Sequence, residues 1–293
     1  MKHVARLATR VLAVVIVLAL AAAGVQYWRT RQIRERLYAA FTPVPITNCT
    51  LQRYGNANDG GYLMCANLMS AAQSSYSYGI NGEDAWGCDV IAQARIPVHQ
   101  YDCFNTTAPA CPGGTTRFHA ECVGPERATI EGRPFDTIAN HIAANGDYGK
   151  RLIVKMDVEG SEWRSLAGAP DHVLEAIDQL AVEFHRLDQP HFLDTAARLG
   201  EFFYSVNLHQ NNYECRPGYD PFPGPVFEVL FVNKRLAVAH PTARVIEPSP
   251  LDAPNAPMLP DCQQFATRSE WQRIAGWLQR SANTAINLVR MRL

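Results

Sequence analysis

The stretch Arg151-Leu152-Ile153-Val154-Lys155-Met156-Asp157-Val158-Glu159-Gly160-Ser161-Glu162-Trp163 decides the fold. It opens as an apolar β-type run through Met156 and breaks into carboxylates at i and i+2, a glycine and a helix start. Glu162 falls where the positive end of that helix favours an acid. Downstream, Asp171 to Asp178 reads as a helix with an Asp at its start, followed by a strand over Leu180 to Phe184. Phe192 to Phe203 reads as a helix, and Tyr204–Leu208 and Phe227–Val232 as strands. Upstream, Ser75–Ile80 and Ile96–Tyr101 are strands. Strands alternating with helical stretches predict an α/β chain with a doubly wound, mostly parallel sheet. The last two strands, separated by an irregular Pro/Gly segment, form its antiparallel edge pair.

In such sheets ligands bind beyond the carboxyl ends of the strands, near the point where strand order reverses. The residues after each strand are therefore the candidates. After the first come Gly79-Ile80-Asn81-Gly82-Glu83-Asp84, a turn that lets backbone approach a ligand and carries acceptor carboxylates. After the second stands Asp102, placed to accept hydrogen bonds from ribose hydroxyls. Asp157 and Glu159 follow the third strand, and Glu183-Phe184-His185 closes the fourth with polar groups again at i and i+2. Together Asp157, Glu159, Glu183 and His185 can bind substrate, supply a general base or hold a divalent cation.

The run Val154 to Trp163 resembles the K-[IM]-D-[IV]-E-G-x-E-[WF] signature of FkbM-like methyltransferases and their relatives in the methyltransferase-like domain family. Arg53-Tyr54-Gly55 leading to Asp59-Gly60-Gly61, Ser77-Tyr78-Gly79-Ile80, Glu183-Phe184-His185, Asn211-Asn212 and Phe231-Val232-Asn233-Lys234 are similar to the latter group in the same order. The resemblance spans about Asn48 to Lys234 and takes in the tail at Pro254-Asn255. It implies a seven-stranded, Rossmann-like class I fold with S-adenosylmethionine over the strand ends. On that analogy Tyr78, Gly79 and Asn81 line the methionine part, Asp102 holds the ribose, and Asp157 borders both cofactor and acceptor. Glu159 and Asp59 then belong to the acceptor side. The chain departs from the common glycine motif, having Gly79-Ile80-Asn81-Gly82 in place of G-x-G-x-G.

Methyl transfer from a sulfonium requires alignment of the acceptor and, for a hydroxyl, removal of its proton. His185, with Glu183 or Asp157 beside it, is the natural base. The expectation is O-methylation of a sugar-like or other small hydroxyl acceptor, with no metal. Two rivals stay open: a non-catalytic domain on the same fold that binds a glycan or protein, and a metal-dependent hydrolase or transferase built on Asp157, Glu159 and His185. No H-E-x-x-H spacing supports the last.

The rest of the chain sets the compartment. Lys2, Arg6 and Arg10 precede the apolar run Val11 to Val25, and Tyr27 and Trp28 follow it. Residues 1–28 read as a signal anchor holding a single-pass protein to a membrane, or as a signal peptide cleaved after Ala21-Ala22-Ala23. The run is shorter than the roughly 20 residues of a spanning helix. Either reading sends the domain to the extracytoplasmic or lumenal side. Eight cysteines agree, since structural disulfides belong to an oxidising compartment, and none sits in a CxxC pair. Residues 29–47 read as an Arg-rich helical stalk, 48–245 as the methyltransferase-like domain, and 246–293 as a Pro-rich segment with an amphipathic helix. In that helix Trp271, Ile274, Trp277 and Leu278 share one face, suited to the domain or to a membrane surface. A formal net charge of -1 gives no case for nucleic acid.

Overall fold

Strand β9 (Leu152–Met156) buries every side chain, so it is covered on both faces as the middle of a parallel sheet must be. The computed structural model describes residues 2–240, 249–260, 262, 271–272 and 274–279. Its elements run α1 (Lys2–Phe41), β1 (Leu51–Gly55), β2 (Gly61–Cys65), β3 (Ser74–Tyr78), α2 (Ala85–Ala94), β4 (Val98–Tyr101) and β5 (Thr116–His119). Then come β6 (Cys122–Val123), β7 (Ala128–Ile130), β8 (Arg133–Asp136), α3 (Ile138–Ala144), β9, α4 (Glu162–Ala167) and α5 (Asp171–Ala176). The described series closes with β10 (Ile177–His185), α6 (Phe192–Phe202), β11 (Phe203–Gln210) and β12 (Val226–Asn233).

The seven-stranded sheet has the order β11-β12-β10-β9-β3-β4-β5. Pairing is parallel from β10 across to β5, and β12 runs antiparallel to both β10 and β11. The expected mixed α/β class and mostly parallel sheet are present. The chain moves outward from β3 to β5, returns, and moves outward the other way from β9, so strand order reverses between β3 and β9. Beyond the sequence expectation stand the hairpin β1-β2 and the small sheet β6-β8-β7.

Each sheet face has its own core. On one, Tyr76, Val154, Val182 and Phe231 meet Ile142 of α3, Trp163 of α4, Leu174 of α5 and Leu199 of α6. On the other, Ile153, Ala181 and Leu230 meet Trp86 and Val90 of α2 and the hairpin residues Tyr54, Tyr62 and Met64. The stretch expected as a stalk (29–47) enters the first core, where Leu37 and Phe41 are fully buried and Phe41 stacks on Phe184 at 5.3 Å. Burying each such side chain contributes about 1.5–3 kcal/mol, which fixes the end of α1 to the domain. Nearer its start Val14, Val17, Leu18 and Leu20 are exposed.

Among the described residues no helix is long and apolar enough to cross a membrane. The spanning anchor expected over 1–28 is thus not found among the described residues. All eight cysteines pair, as Cys49–Cys65, Cys88–Cys111, Cys103–Cys122 and Cys215–Cys262. Such pairing places the fold in an oxidising, extracytoplasmic environment. Of the C-terminal helix, Trp277 is buried edge-on against Tyr27, whereas Trp271 and Leu278 are exposed. Arg273, Arg280 and the chain beyond lie outside the described residues, as does the 245/246 boundary.

Candidate functional site

At the switch point the ends of β3 and β9 nearly touch. Gly79 has φ +73, and a Cβ there would stand 1.5 Å from the carbonyl oxygen of Asp157, so only glycine lets the two strand ends come this close. The gap beyond them opens into a cavity of about 830 Å³, the size of a small-molecule site. Its wall includes Gly79, Asn81, Glu83, Asp102, Asp157, Glu159 and Asp59. Tyr78, expected beside them, is not in the wall. Strand alternation turns its ring to the opposite face, where it is fully buried and packs against Tyr101 and His141.

Asp84 and Asp102, acids of the first two strand ends, are committed to hydrogen bonds within their own loops. Asp84 caps α2, accepting from Gly87 N, and also accepts from Ser77 Oγ and Gln100 Nε2 (each 2.9 Å). Asp102 takes the amides of Ile80 and Asn81 on one oxygen (3.1 and 2.8 Å) and those of Phe104 and Asn105 on the other (2.8 and 3.0 Å). A carboxylate has about four acceptor sites, so Asp102 organises its loops and has little left for a ribose. Glu83 in the same wall is exposed.

Beside the cavity, under the β1-β2 hairpin, lies a buried polar row across the strand ends. Glu183 on β10 faces Glu228 on β12, which faces His209 on β11. Asp157 joins them from β9, with its Oδ2 accepting from the Tyr62 hydroxyl (3.2 Å) and 3.5 Å from Lys155 Nζ. Lys155 donates to the Gly79 carbonyl at 2.6 Å and thus ties β9 to the turn of β3. Asn255, from the segment after Ser249, donates to Asp59 Oδ1 (3.1 Å) and Glu228 Oε1 (2.8 Å), while its own Oδ1 is 3.1 Å from His209 Nε2. Cys215–Cys262 fastens the chain just beyond it.

His185 joins this row at the end of β10. Its Nδ1–H donates to Glu162 Oε1 at 2.7 Å. The same oxygen, fully buried, accepts from the amides of Val158 and Gly160. Trp163 Nε1–H donates to the His185 carbonyl at 2.8 Å. The ring is therefore fixed with Nε2 turned to Glu159 Oε2 (3.3 Å) and Glu183 Oε1 (3.4 Å). Asp157, Glu183 and His185 each offer a ligand atom within 4.8 Å of the others. Burial, then the charges of Asp157, Glu228 and Asp59, push Glu183 well above the usual carboxylate range, with Lys155 opposing. Burial alone would lower the His185 pKa, but the Glu162 hydrogen bond and surrounding acids raise it on balance.

No family model, no curated protein and no solved structure matches this chain. The site therefore rests on its own geometry. Of the candidates, Gly79, Asn81, Asp102, Asp157, Glu159 and Asp59 share the cavity wall, and Glu183 and His185 stand behind Asp157. Sequence reasoning gave Glu162 only a dipole role, named Asn255 in the resemblance without a site role, and missed Tyr62, Glu228 and His209. A signal existed for Glu228, a lone acid inside the apolar strand Val226-Phe227-Glu228-Val229-Leu230.

Proposed function

We propose that the chain is an S-adenosylmethionine-dependent methyltransferase that O-methylates a sugar-like or other hydroxyl acceptor. The observation that carries this reading is the switch-point cavity walled by Asp157, whose carboxylate lies within 4.8 Å of Glu183 and His185 behind it. The residues present fit the cofactor in cavity size and polarity, with one change of assignment. Glu83 takes the ribose hydroxyls, since Asp102 is spent on its loops.

When bound, S-adenosylmethionine supplies an electrophilic methyl group. The chain's own task is to aim a hydroxyl at it and take the hydroxyl proton. His185 Nε2 is the acceptor of that proton, because Glu162 holds Nδ1 protonated and the ring oriented. Glu162 and Asp157 stabilise the imidazolium that results. Asp59 and Glu159, on the rim, bind the acceptor's other hydroxyls.

The protein works outside the cytosol, held near a membrane by its N-terminal segment. The exposed Val14, Val17, Leu18 and Leu20 support that attachment. A second reading, a non-catalytic domain that binds a glycan or protein, draws on the committed Asp102. Incubation of the disulfide-intact chain with labelled S-adenosylmethionine and a panel of saccharides separates the two. Label transfer that is lost in His185→Ala supports the enzyme; no transfer to any hydroxyl acceptor supports the binding domain.

A further inference from the structure

We infer that Asp157, Glu183 and His185 form a binding site for one divalent cation of the Mn2+ or Zn2+ type. The three ligand atoms lie within 4.8 Å of one another and come from two adjacent strand ends, which makes a small rigid pocket. One imidazole with two carboxylates suits a borderline first-row cation better than a purely oxygen-seeking one. Two further observations point the same way.

The first is Glu183, whose residue is only 6% exposed. Among the described residues one hydrogen bond reaches its carboxylate, from Asn211 Nδ2 at 3.1 Å. The same Oε1 stands 3.4 Å from His185 Nε2, and Oε2 accepts no hydrogen bond from the described residues, which leaves it to take a cation. The second is the tie from Glu162 to His185 Nδ1. Metal-bound histidines are held in this way by a carboxylate on the far ring nitrogen, which fixes the tautomer and presents the other lone pair. Here that lone pair faces Glu183 Oε1 at 3.4 Å.

The inference deepens the methyl-transfer reading and rests on it for the cation's task, which is to hold and acidify the acceptor hydroxyl. With a cation bound, His185 would serve as a ligand in place of the base described above, and the exposed carboxylate of Glu159, 3.3 Å from His185 Nε2, would take over the acceptor proton.

The test is a titration of the chelator-stripped, disulfide-intact full chain with Mn2+, followed by the loss of the free-ion electron paramagnetic resonance signal. One Mn2+ per chain is expected, displaced by Zn2+. Binding is to weaken at least about tenfold in Glu183→Gln and His185→Ala, and about 10–100-fold in Glu162→Gln, which keeps all three ligands. Glu131→Gln, an exposed acid between β7 and β8, is to change it little, and near-ultraviolet circular dichroism checks that each variant is folded. No stoichiometric binding, or binding indifferent to Glu183→Gln and His185→Ala, overturns the site and leaves His185 as an ion-paired imidazolium. A parallel titration with S-adenosylhomocysteine keeps the two readings apart. Cation without cofactor removes methyl transfer but keeps the site; cofactor without cation does the reverse.

Discussion

His185 Nδ1 and Glu162 Oε1 are 2.7 Å apart, and this bond joins the end of β10 to the first turn of α4. It links the two motifs, Glu183-Phe184-His185 and Asp157 to Trp163, into one site. Glu162→Gln is expected to lower methyl transfer about 10–100-fold while leaving S-adenosylhomocysteine affinity unchanged, because Glu162 is not in the cavity wall. Paired measurement of turnover and cofactor affinity checks this; a matching loss in both would assign Glu162 to the scaffold alone.

Gly79 and Gly146 make a controlled pair. Both have positive φ (+73 and +71), but a Cβ on Gly79 meets Asp157 at 1.5 Å while nothing lies within 4 Å of one on Gly146. Gly146→Ala should cost about 1–2 kcal/mol, the strain of a left-handed alanine. Gly79→Ala should cost clearly more, on the order of 3 kcal/mol or above, because backbone must also move. Urea unfolding of both variants measures the difference, and equal costs would mean the strand ends are not in contact.

Acid should destabilise the fold through two histidines. Burial pushes His99 and His141 down to about 4, against 6.5 in an open chain. Between these values the unfolded chain binds more protons than the folded one, so stability is complete above about 6.5 and falls as pH drops toward 4. The expected loss is on the order of a few kcal/mol. His141→Phe keeps the stack on Tyr101, 4.2 Å away, and should flatten this slope in unfolding curves between those limits.

Asn255 should matter more than its place in a Pro-rich segment suggests. Its side chain bridges Asp59, Glu228 and His209, and Asn255→Leu would leave the buried Glu228 short of a donor. A loss of about 1–3 kcal/mol is expected, read by thermal unfolding, with protease cutting near Leu259 becoming faster. Unchanged stability and cutting would detach this segment from the site.

The strands were legible because parallel-sheet strands are apolar runs cut by polar turns, as at Met156-Asp157 and Phe184-His185. Which face of β3 borders the cavity was not legible. Both faces are buried, so the alternation of Ser77 and Tyr78 carries no sign. Asp102 stands at the expected strand end, but sequence could not reveal that four backbone amides use up its oxygens. Glu162 with His185, and Asn255 with Glu228, are pairings made by topology, and no local pattern announces them. The docking of Leu37 and Phe41 was hidden because an Arg-rich helix with a few apolar positions reads as a stalk until a groove is known to receive it.

The most direct test of the central claim is calorimetric titration of the disulfide-intact chain with S-adenosylhomocysteine, beside an Ala85→Trp variant that fills the cavity from the start of α2. The expected result is binding at one site per chain that disappears in the folded variant. A folded, fully oxidised chain that takes up no S-adenosylhomocysteine, or takes it up equally well with the cavity filled, would contradict methyl transfer at this site.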